Sequence, residues 1–411
     1  MKIWIIDHYA VPEKYSPLIR QTNFAKYLMK FGNDVRIIAA SSVHNSQINL
    51  ITDRALYRNE SEDGVNYTYV KCHSYSGNGL KRILNMLEFA RKLPCVCKQL
   101  VKDEWKPDVI LSCSMTLQAC KSGIKLGKKY GARVVAQITD LWPESIVEYT
   151  RLTKKNLIIR YLRGVEKWIY INSDALIFSM EGAYDYIVEQ GWENVIPREK
   201  VHYINNGVDK ERFQYNYENY QIEDVDLKNN KIFKVVYTGS IRRVNNVGLL
   251  LEVAKVMQDK QIKFLVWGDG DELENLKKRV EKEKIGNVIF KGRVEKRFIP
   301  YILCNADLNY MHGDSNPLFR FGLSANKLFD YFAAGKPILS DLDAKYNPVT
   351  LMNAGIDVTT PTPEKIANAI ENIKNLPTEE YEQYCRNSIY ASDKYNFEKL
   401  TQELLKILSG D

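Results

Sequence analysis

Short apolar runs bounded by glycine and polar turns recur along this chain. Between them lie segments whose apolar residues return every three or four positions. The runs Lys2–Asp7, Val35–Ala40, Tyr67–Cys72, Val109–Ser112, Arg133–Gln137, Ala175–Phe178 and Val201–Ile204 predict buried strands. Ile19–Phe31 predicts a helix, with Phe24, Ala25, Leu28 and Met29 facing a core and Gly32 ending it. Leu80–Val101 predicts another, which Pro94 should break or kink. Strands separated by helical patterns imply βαβ units, right-handed crossovers and a parallel sheet.

The alternation pauses from Asp209 to Lys231, a polar stretch rich in Tyr, Asn and Glu. A second series follows. Strands are expected at Val235–Tyr237, Phe264–Trp267, Val288–Phe290, Leu308–Tyr310 and Pro337–Leu339, and helices at Val247–Met257, Glu272–Lys284, Arg297–Cys304 and Phe397–Leu408. The expected plan is an α/β protein of two Rossmann-like domains with parallel sheets flanked by helices. Residues 1–208 form the first domain, 209–231 a linker, and 232–390 the second. A C-terminal helix, within 391–411, packs back on the first. No short-period repeat or low-complexity segment is present, which argues against a solenoid.

With 411 residues, 45% hydrophobic and 27% charged, the composition is that of a soluble globular protein with room for two cores. No stretch reaches the ~18–20 apolar residues that span a bilayer. The opening MKIWIIDHYA is too short an apolar segment for a signal peptide, so a cytoplasmic location is expected. Seven cysteines in mostly apolar contexts are expected to be reduced thiols. The net charge of +7 is unevenly spread. Basic residues crowd three segments of the first half: Lys81 to Lys98, Lys121 to Arg133, and Arg151 to Lys167. Two readings stay open for them, solvated helix faces or attraction to an anionic membrane surface at roughly 1 kcal/mol per cation. No basic–aromatic RNA motif, helix-turn-helix or zinc-finger spacing is found, so no nucleic-acid partner is expected.

The most informative stretch is Arg320–Ser340, RFGLSANKLFDYFAAGKPILS. Gly322 gives a turn, Ser324 a candidate N-cap, and Ala325–Ala334 a helix stopped by Gly335 and Pro337. Its N-terminus suits a diphosphate. Asn326 and Asp330 share one face, and the carboxylate can accept hydrogen bonds from a ribose diol. An ordinary capped helix is the plain alternative. Gly239-Ser-Ile-Arg-Arg243 follows an apolar strand, and Arg242 or Arg243 could match a diphosphate; a solvated loop is the other reading. Trp267-Gly-Asp-Gly270 is half a dinucleotide fingerprint. Asp140 and Glu144 flank Pro143 on a loop after a strand. They could orient an acceptor hydroxyl or take its proton, or Asp140 could cap a helix. His312-Gly-Asp-Ser315 could touch a sugar or simply turn. His8 is either an acceptor contact or a local hydrogen-bond partner.

These motifs together resemble the retaining GT-B glycosyltransferases of family GT4. In that family two Glu residues, seven others between them, precede a small-residue run ending in Gly-Lys-Pro. Asp330 falls on the second acidic position, which binds the ribose, and Gly322 on the first. The Ser-x-Asn-Lys-Leu-Phe-Asp-Tyr and Asp-Leu-Trp-Pro-Glu-Ser runs are similar to those of a subgroup acting in bacterial capsule and O-antigen assembly. Asn205-Asn-Gly-Val-Asp209 is similar to the family's turn before the hinge, and Tyr237-Thr-Gly-Ser240 to the loop opening the donor domain. HYAVPEKYSPLIRQ stands where the family has a Gly-Gly loop. Ser240 and Asn245 occupy spacings where the family has Arg and Lys, leaving Arg242 and Arg243 as replacements.

The resemblance implies two domains facing a cleft. A nucleotide-sugar, UDP-linked rather than GDP-linked, would bind Gly239, Ser240, Arg242, Arg243, Gly268, Gly270, Gly322, Leu323, Ser324, Asn326, Lys327 and Asp330, with the turn Gly292-Arg293-Val294 against the base. Lys327 or the amides near Leu323 and Ser324 would substitute for the missing acid. Asp140 and Glu144 would be catalytic, and His8, Tyr9 and Arg20 would face the acceptor, expected to be an undecaprenyl-diphosphate-linked saccharide. The transferred group would be a hexose or N-acetylhexosamine. Neither cofactor nor metal is implied. Peripheral contact with the inner membrane surface is expected. The alternatives are a nucleotide-sugar epimerase of the same fold and a catalytically silent binding protein.

Overall fold

The computed structural model describes residues 1–16, 18–44, 46–77, 79–258 and 261–410; of the run His8–Gln21, residue 17 lies outside the described residues. The chain divides into two compact units, one of Met1–Asn205 with Phe397–Asp411, the other of Asn206–Asn396.

Unit 1 is built on β1 (Lys2–Ile6), β2 (Asp34–Ala40), β3 (Tyr57–Glu62), β4 (Val65–Val70), β5 (Val109–Cys113), β6 (Arg133–Ile138), β7 (Ala175–Phe178) and β8 (Val201–Tyr203). They form one sheet in the order β3-β4-β2-β1-β5-β6-β7-β8, parallel except for the β3–β4 hairpin. The central strand KIWII is apolar because both its faces are covered, with Ile5 in register with Ile37 on one side and Leu111 on the other. Its helices are α1 (Arg20–Lys30), α2 (Leu80–Lys102), α3 (Leu117–Tyr130), α4 (Glu144–Tyr149), α5 (Leu157–Asn172) and α6 (Ala183–Glu189). Helix α2 runs unbroken past Pro94. The expected break does not occur there, because Phe89, Leu93, Val96 and Cys97 bury its core face on both sides of the proline. Strand β3, YRNESE, was not expected. It is a polar edge strand held by backbone pairing to β4, so it needs no apolar face.

Unit 2 contains β9 (Phe233–Thr238), β10 (Ile262–Trp267), β11 (Val288–Gly292), β12 (Leu308–Met311), β13 (Ile338–Ser340) and β14 (Gly355–Asp357). These form a parallel sheet in the order β11-β10-β9-β12-β13-β14. Its helices are α7 (Lys210–Asn219), α8 (Val247–Val256), α9 (Leu273–Lys282), α10 (Ile299–Cys304), α11 (Asn326–Ala333), α12 (Pro348–Leu351), α13 (Pro363–Lys374) and α14 (Thr378–Lys394). The core joins Val235, Phe264 and Val266 of the sheet to Leu250 and Ile370 of its helices. The polar stretch expected to be a bare connection belongs to this unit and opens with α7. Asp209 caps that helix by accepting from Arg212 N at 3.2 Å.

The last helix, α15 (Phe397–Ser409), returns to unit 1 and packs on α1. Phe24 and Phe397 meet edge to face at 5.5 Å, and Lys30 pairs with Glu398 at 3.1 Å.

Candidate active site

In unit 2 the chain moves outward from β9 to β10 and β11, then places β12 on the other side of β9. Such a reversal leaves a crevice beyond the carboxyl ends of the strands. The loops leaving β9, β10 and β12 meet there, and the β12 loop leads into α11.

The first two loops pack backbone on backbone. Gly239 N donates to Trp267 O at 3.0 Å, and Ile241 N to Asp269 O at 2.9 Å. A Cβ on Gly268 would lie 1.8 Å from Gly239 O, and one on Gly270 would lie 2.2 Å from Ile241 O. No side chain fits at either position, which is the physical content of the GxG motif. Gly268 N also donates to Gly292 O at 2.9 Å, which brings the turn carrying Arg293 and half-buried Val294 alongside.

His312 braces the β12 loop to the β9 loop. Its Nε2 faces Asn246 O at 2.8 Å and its Nδ1 faces Asp341 Oδ2 at 2.6 Å, while Tyr310 donates to the same carboxylate oxygen at 2.7 Å. The ring is buried, so His312 is an internal strut rather than a group turned outward to a sugar. Asp341 went unnoticed in the sequence; the signal was an acid directly after a strand ending in Ser340.

Lys327 lies in the first turn of α11. Its Nζ donates to His312 O at 3.1 Å and sits 4.6 Å from the Tyr237 ring centroid. Burial pulls its pKa down to about 8, with the Asp341 charge opposing. Tyr331, also on α11, ties the helix to the end of β9 by accepting from Thr238 N at 3.1 Å.

Ser324 is not the helix cap. Helix α11 starts after Ala325 with no side-chain cap, while Ser324 accepts from Asn206 Nδ2 at 2.9 Å (carbonyl) and 3.1 Å (Oγ). Asn206 lies in the turn before α7. Gly322 and Leu323 are buried just ahead, with Gly322 at φ 116°, a conformation that favours glycine. Asn326 is exposed and Asp330 half-buried on α11. Ser240 Oγ donates to Asn245 Oδ1 at 2.8 Å, so these two pair with each other. Arg242 and Arg243 are exposed, and their guanidinium groups have no hydrogen-bond or ion-pair partner among the described residues.

Unit 1 reverses between β1 and β5. Asp7, His8 and Tyr9 leave β1 at that point, and all three are buried. Asp7 accepts from Tyr9 N at 2.9 Å and Gln21 Nε2 at 3.1 Å, and burial raises its pKa. His8 Nε2 bonds Asn85 Oδ1 at 2.7 Å, and burial drives its pKa down to about 3, so the ring is neutral. The Asn85 amide is spent on Ser42 Oγ at 2.8 Å and His73 O at 2.5 Å, so Nε2 carries the His8 proton. Tyr9 OH accepts from Arg82 Nε at 3.0 Å. Arg20 is buried and donates to Asn205 O at 2.6 Å and Ile204 O at 2.7 Å; burial lowers its pKa to about 10. Arg20 thus fastens α1 to the segment after β8 rather than projecting toward an acceptor.

Asp140 and Glu144 part company. Glu144, 0% exposed, pairs with Arg163 and with Lys154 at 3.2 Å. Arg163 also reaches Glu166 at 3.5 Å, whose pKa burial pushes up to about 8. Glu144 is therefore committed to a buried network under the loop rather than open to an acceptor. Asp140, on the loop leaving β6, is solvent-accessible with protein on most sides. Its carboxylate has no hydrogen-bond partner among the described residues. Desolvation raises its pKa, with Arg82 opposing. Among the described residues no group of three or more His, Cys, Asp or Glu converges as a metal site. No helix there is long and apolar enough to cross a membrane.

Two parallel-sheet α/β units of this kind define the GT-B fold of glycosyltransferases. HepE from Anabaena, solved in complex with UDP, superposes with a TM-score of 0.67 over 100% of both chains at 14% identity. Two glycosyltransferase family models match in tandem: residues 21–212 match Glycosyltransferase Family 4, and residues 219–391 match Glycosyl transferases group 1. The chain is 23% identical to the probable glycosyltransferase WbjE of Pseudomonas aeruginosa over 64% of its own length and 63% of that protein. It is 25% identical to TuaH of Bacillus subtilis, a putative teichuronic acid biosynthesis glycosyltransferase, over 50% of each. The chain thus spans about half to two-thirds of the curated relatives it matches.

Proposed function

We propose that the protein is a glycosyltransferase that moves a hexose or N-acetylhexosamine from a nucleotide-diphosphate donor to a hydroxyl, with retention of configuration. The observation that carries this is the unit 2 strand edge. Glycine-packed loops, the uncapped start of α11, Lys327 and two unpaired arginines converge there where a doubly wound sheet receives a ligand. UDP is the favoured nucleotide, in line with the UDP bound in HepE. Asp330 holds the ribose. Lys327 and the α11 dipole stabilise the departing diphosphate, which itself takes the acceptor's proton. Asp140 orients that hydroxyl in unit 1.

The acceptor is a saccharide on an undecaprenyl diphosphate, used in surface-polysaccharide assembly on the cytoplasmic side of the cell membrane. WbjE and TuaH, and exposed Leu157, Ile158 and Tyr161 beside the basic residues of α5, support that reading. Thermal stabilisation against UDP, GDP, CMP, ADP and NAD tests it. A shift of several degrees with UDP, lost in Asp330→Ala, is expected. No shift with any nucleotide would favour a silent binding protein.

A further inference from the structure

We propose that the first half of α2 forms a groove for an aliphatic chain bearing a diphosphate, the lipid part of the acceptor; this rests on the glycosyltransferase reading. The groove, about 610 Å³, is lined by Lys81, Leu84, Leu87 and Arg91 of α2, with His73 and Ser74 opposite. Leu80, Leu84, Leu87 and Arg91 follow one another at four-, three- and four-residue spacing, so they form one stripe along the helix. Leu80 is 78% and Leu84 64% exposed. The fold does not need them, since Met86, Phe89, Ala90, Leu93 and Val96 fill the core face. A contiguous apolar stripe in water marks a ligand or a surface that covers it.

Charge narrows the choice of occupant. Lys81 and Arg91 have no hydrogen-bond or ion-pair partner among the described residues. The one carboxylate in the groove, Glu88, is neutralised by Lys92 at 2.6 Å and accepts from His73 N at 2.8 Å. Lys81 and Arg91 lie at opposite ends of the leucine stripe, about 15 Å apart along α2, so a diphosphate beside Lys81 with its hydrocarbon chain along the leucines is the match the groove offers.

Continuity with the strand edge selects the acceptor over bulk lipid. Asn85 reaches from the groove to His8 at 2.7 Å. Arg82, next to Lys81, holds Tyr9 at 3.0 Å, and its charge acts on Asp140. A single ligand can therefore lie with its saccharide toward Asp140, its diphosphate by Lys81 and its chain along Leu84 and Leu87.

Calorimetric titration of the whole chain with farnesyl diphosphate tests this. Saturable binding is expected, with inorganic diphosphate and farnesol at least tenfold weaker. Lys81→Ala and Leu84→Ser should each weaken it about tenfold while leaving stabilisation by UDP unchanged. The proposal falls if farnesyl diphosphate fails to bind a protein that UDP still stabilises. It also falls if a variant carrying both Lys81→Ala and Leu84→Ser binds as well as the parent, or if phosphatidylglycerol vesicles fully displace the probe, which would make the stripe a bulk-lipid surface. Loss of the UDP response in the parent protein would count against the glycosyltransferase reading alone, because the groove is scored on farnesyl diphosphate.

Discussion

The two strand edges solve different problems with the same topology. In unit 2 the edge is made mostly of backbone: glycines pressed against carbonyls, a helix start without a side-chain cap, and cations left unpaired. In unit 1 it is made of side chains that bond one another, with Asp7 to Gln21, His8 to Asn85 and Tyr9 to Arg82, and Asp140 as the open carboxylate. Backbone donors and free cations suit an anion that brings its own charge. A rigid side-chain lattice around one accessible acid suits a neutral hydroxyl that must be aimed. The difference implies that changes in unit 1 should act on turnover or folding, and changes in unit 2 on nucleotide affinity.

The largest effect should come from Glu144, and it should be structural. Removing one member of a buried charge pair leaves its partner uncompensated, so Glu144→Gln should lose about 3 kcal/mol in urea denaturation. Glu166→Gln provides a check of sign. Its folded pKa of about 8 exceeds the ordinary carboxylate value of 4.5, so the fold holds a proton that the unfolded chain releases. Stability should fall as pH rises from about 4.5 to 8, and the variant should flatten that slope. Next comes Asp140→Asn, expected to reduce transfer about a hundredfold with the UDP shift unchanged. A lost UDP shift in Asp140→Asn would break the division of labour.

In unit 2, Gly268→Ala drives a Cβ into Gly239 O and should cost about 2 kcal/mol, together with UDP binding. Gly286→Ala, with nothing within 4 Å, should stay within about 0.5 kcal/mol. Lys327→Met should weaken UDP about tenfold. Its pH signature has two opposite signs. Without ligand, the lysine pKa is depressed from 10.5 to about 8, so stability rises with pH across that window. UDP affinity should instead fall as pH climbs through about 8, because the charge that meets the diphosphate is lost. Calorimetry in buffers of different ionisation enthalpy should show proton uptake on binding near pH 8 in the parent and none in Lys327→Met.

What could be read from the chain alone follows from how local each feature is. The buried parallel strands are uniformly apolar, and KIWII needs no context to declare itself. The glycine motifs were legible because their requirement is steric and lies in the backbone. β3 was not, since an edge strand paired on one side by backbone bonds can be polar throughout. The start of α11 was legible to within a residue but its cap was not, since Ser324 is engaged by Asn206, 118 residues earlier in the chain. Glu144 looked equivalent to Asp140 in sequence, and only Arg163, brought over by α5, separates a buried structural acid from an open one. The His312–Asp341 strut is tertiary in the same way.

Arg242 and Arg243 carry the smallest prediction and the one that discriminates most finely. Both are exposed and unpaired, so neither single alanine variant should change stability by more than about 0.5 kcal/mol. Each sits on the loop that His312 braces through Asn246, so loop position is held whichever arginine is removed. A surface guanidinium meeting a diphosphate is screened by solvent, and its loss should weaken UDP only about threefold. The two should differ in salt dependence: the arginine that faces the diphosphate, when removed, should flatten the fall of UDP affinity between low and high salt, whereas removing the other should shift nothing. If both variants keep the parent's affinity and salt slope, the charge on the unit 2 edge rests on Lys327 and the helix start alone, and the contrast with unit 1 sharpens to one lysine against one aspartate.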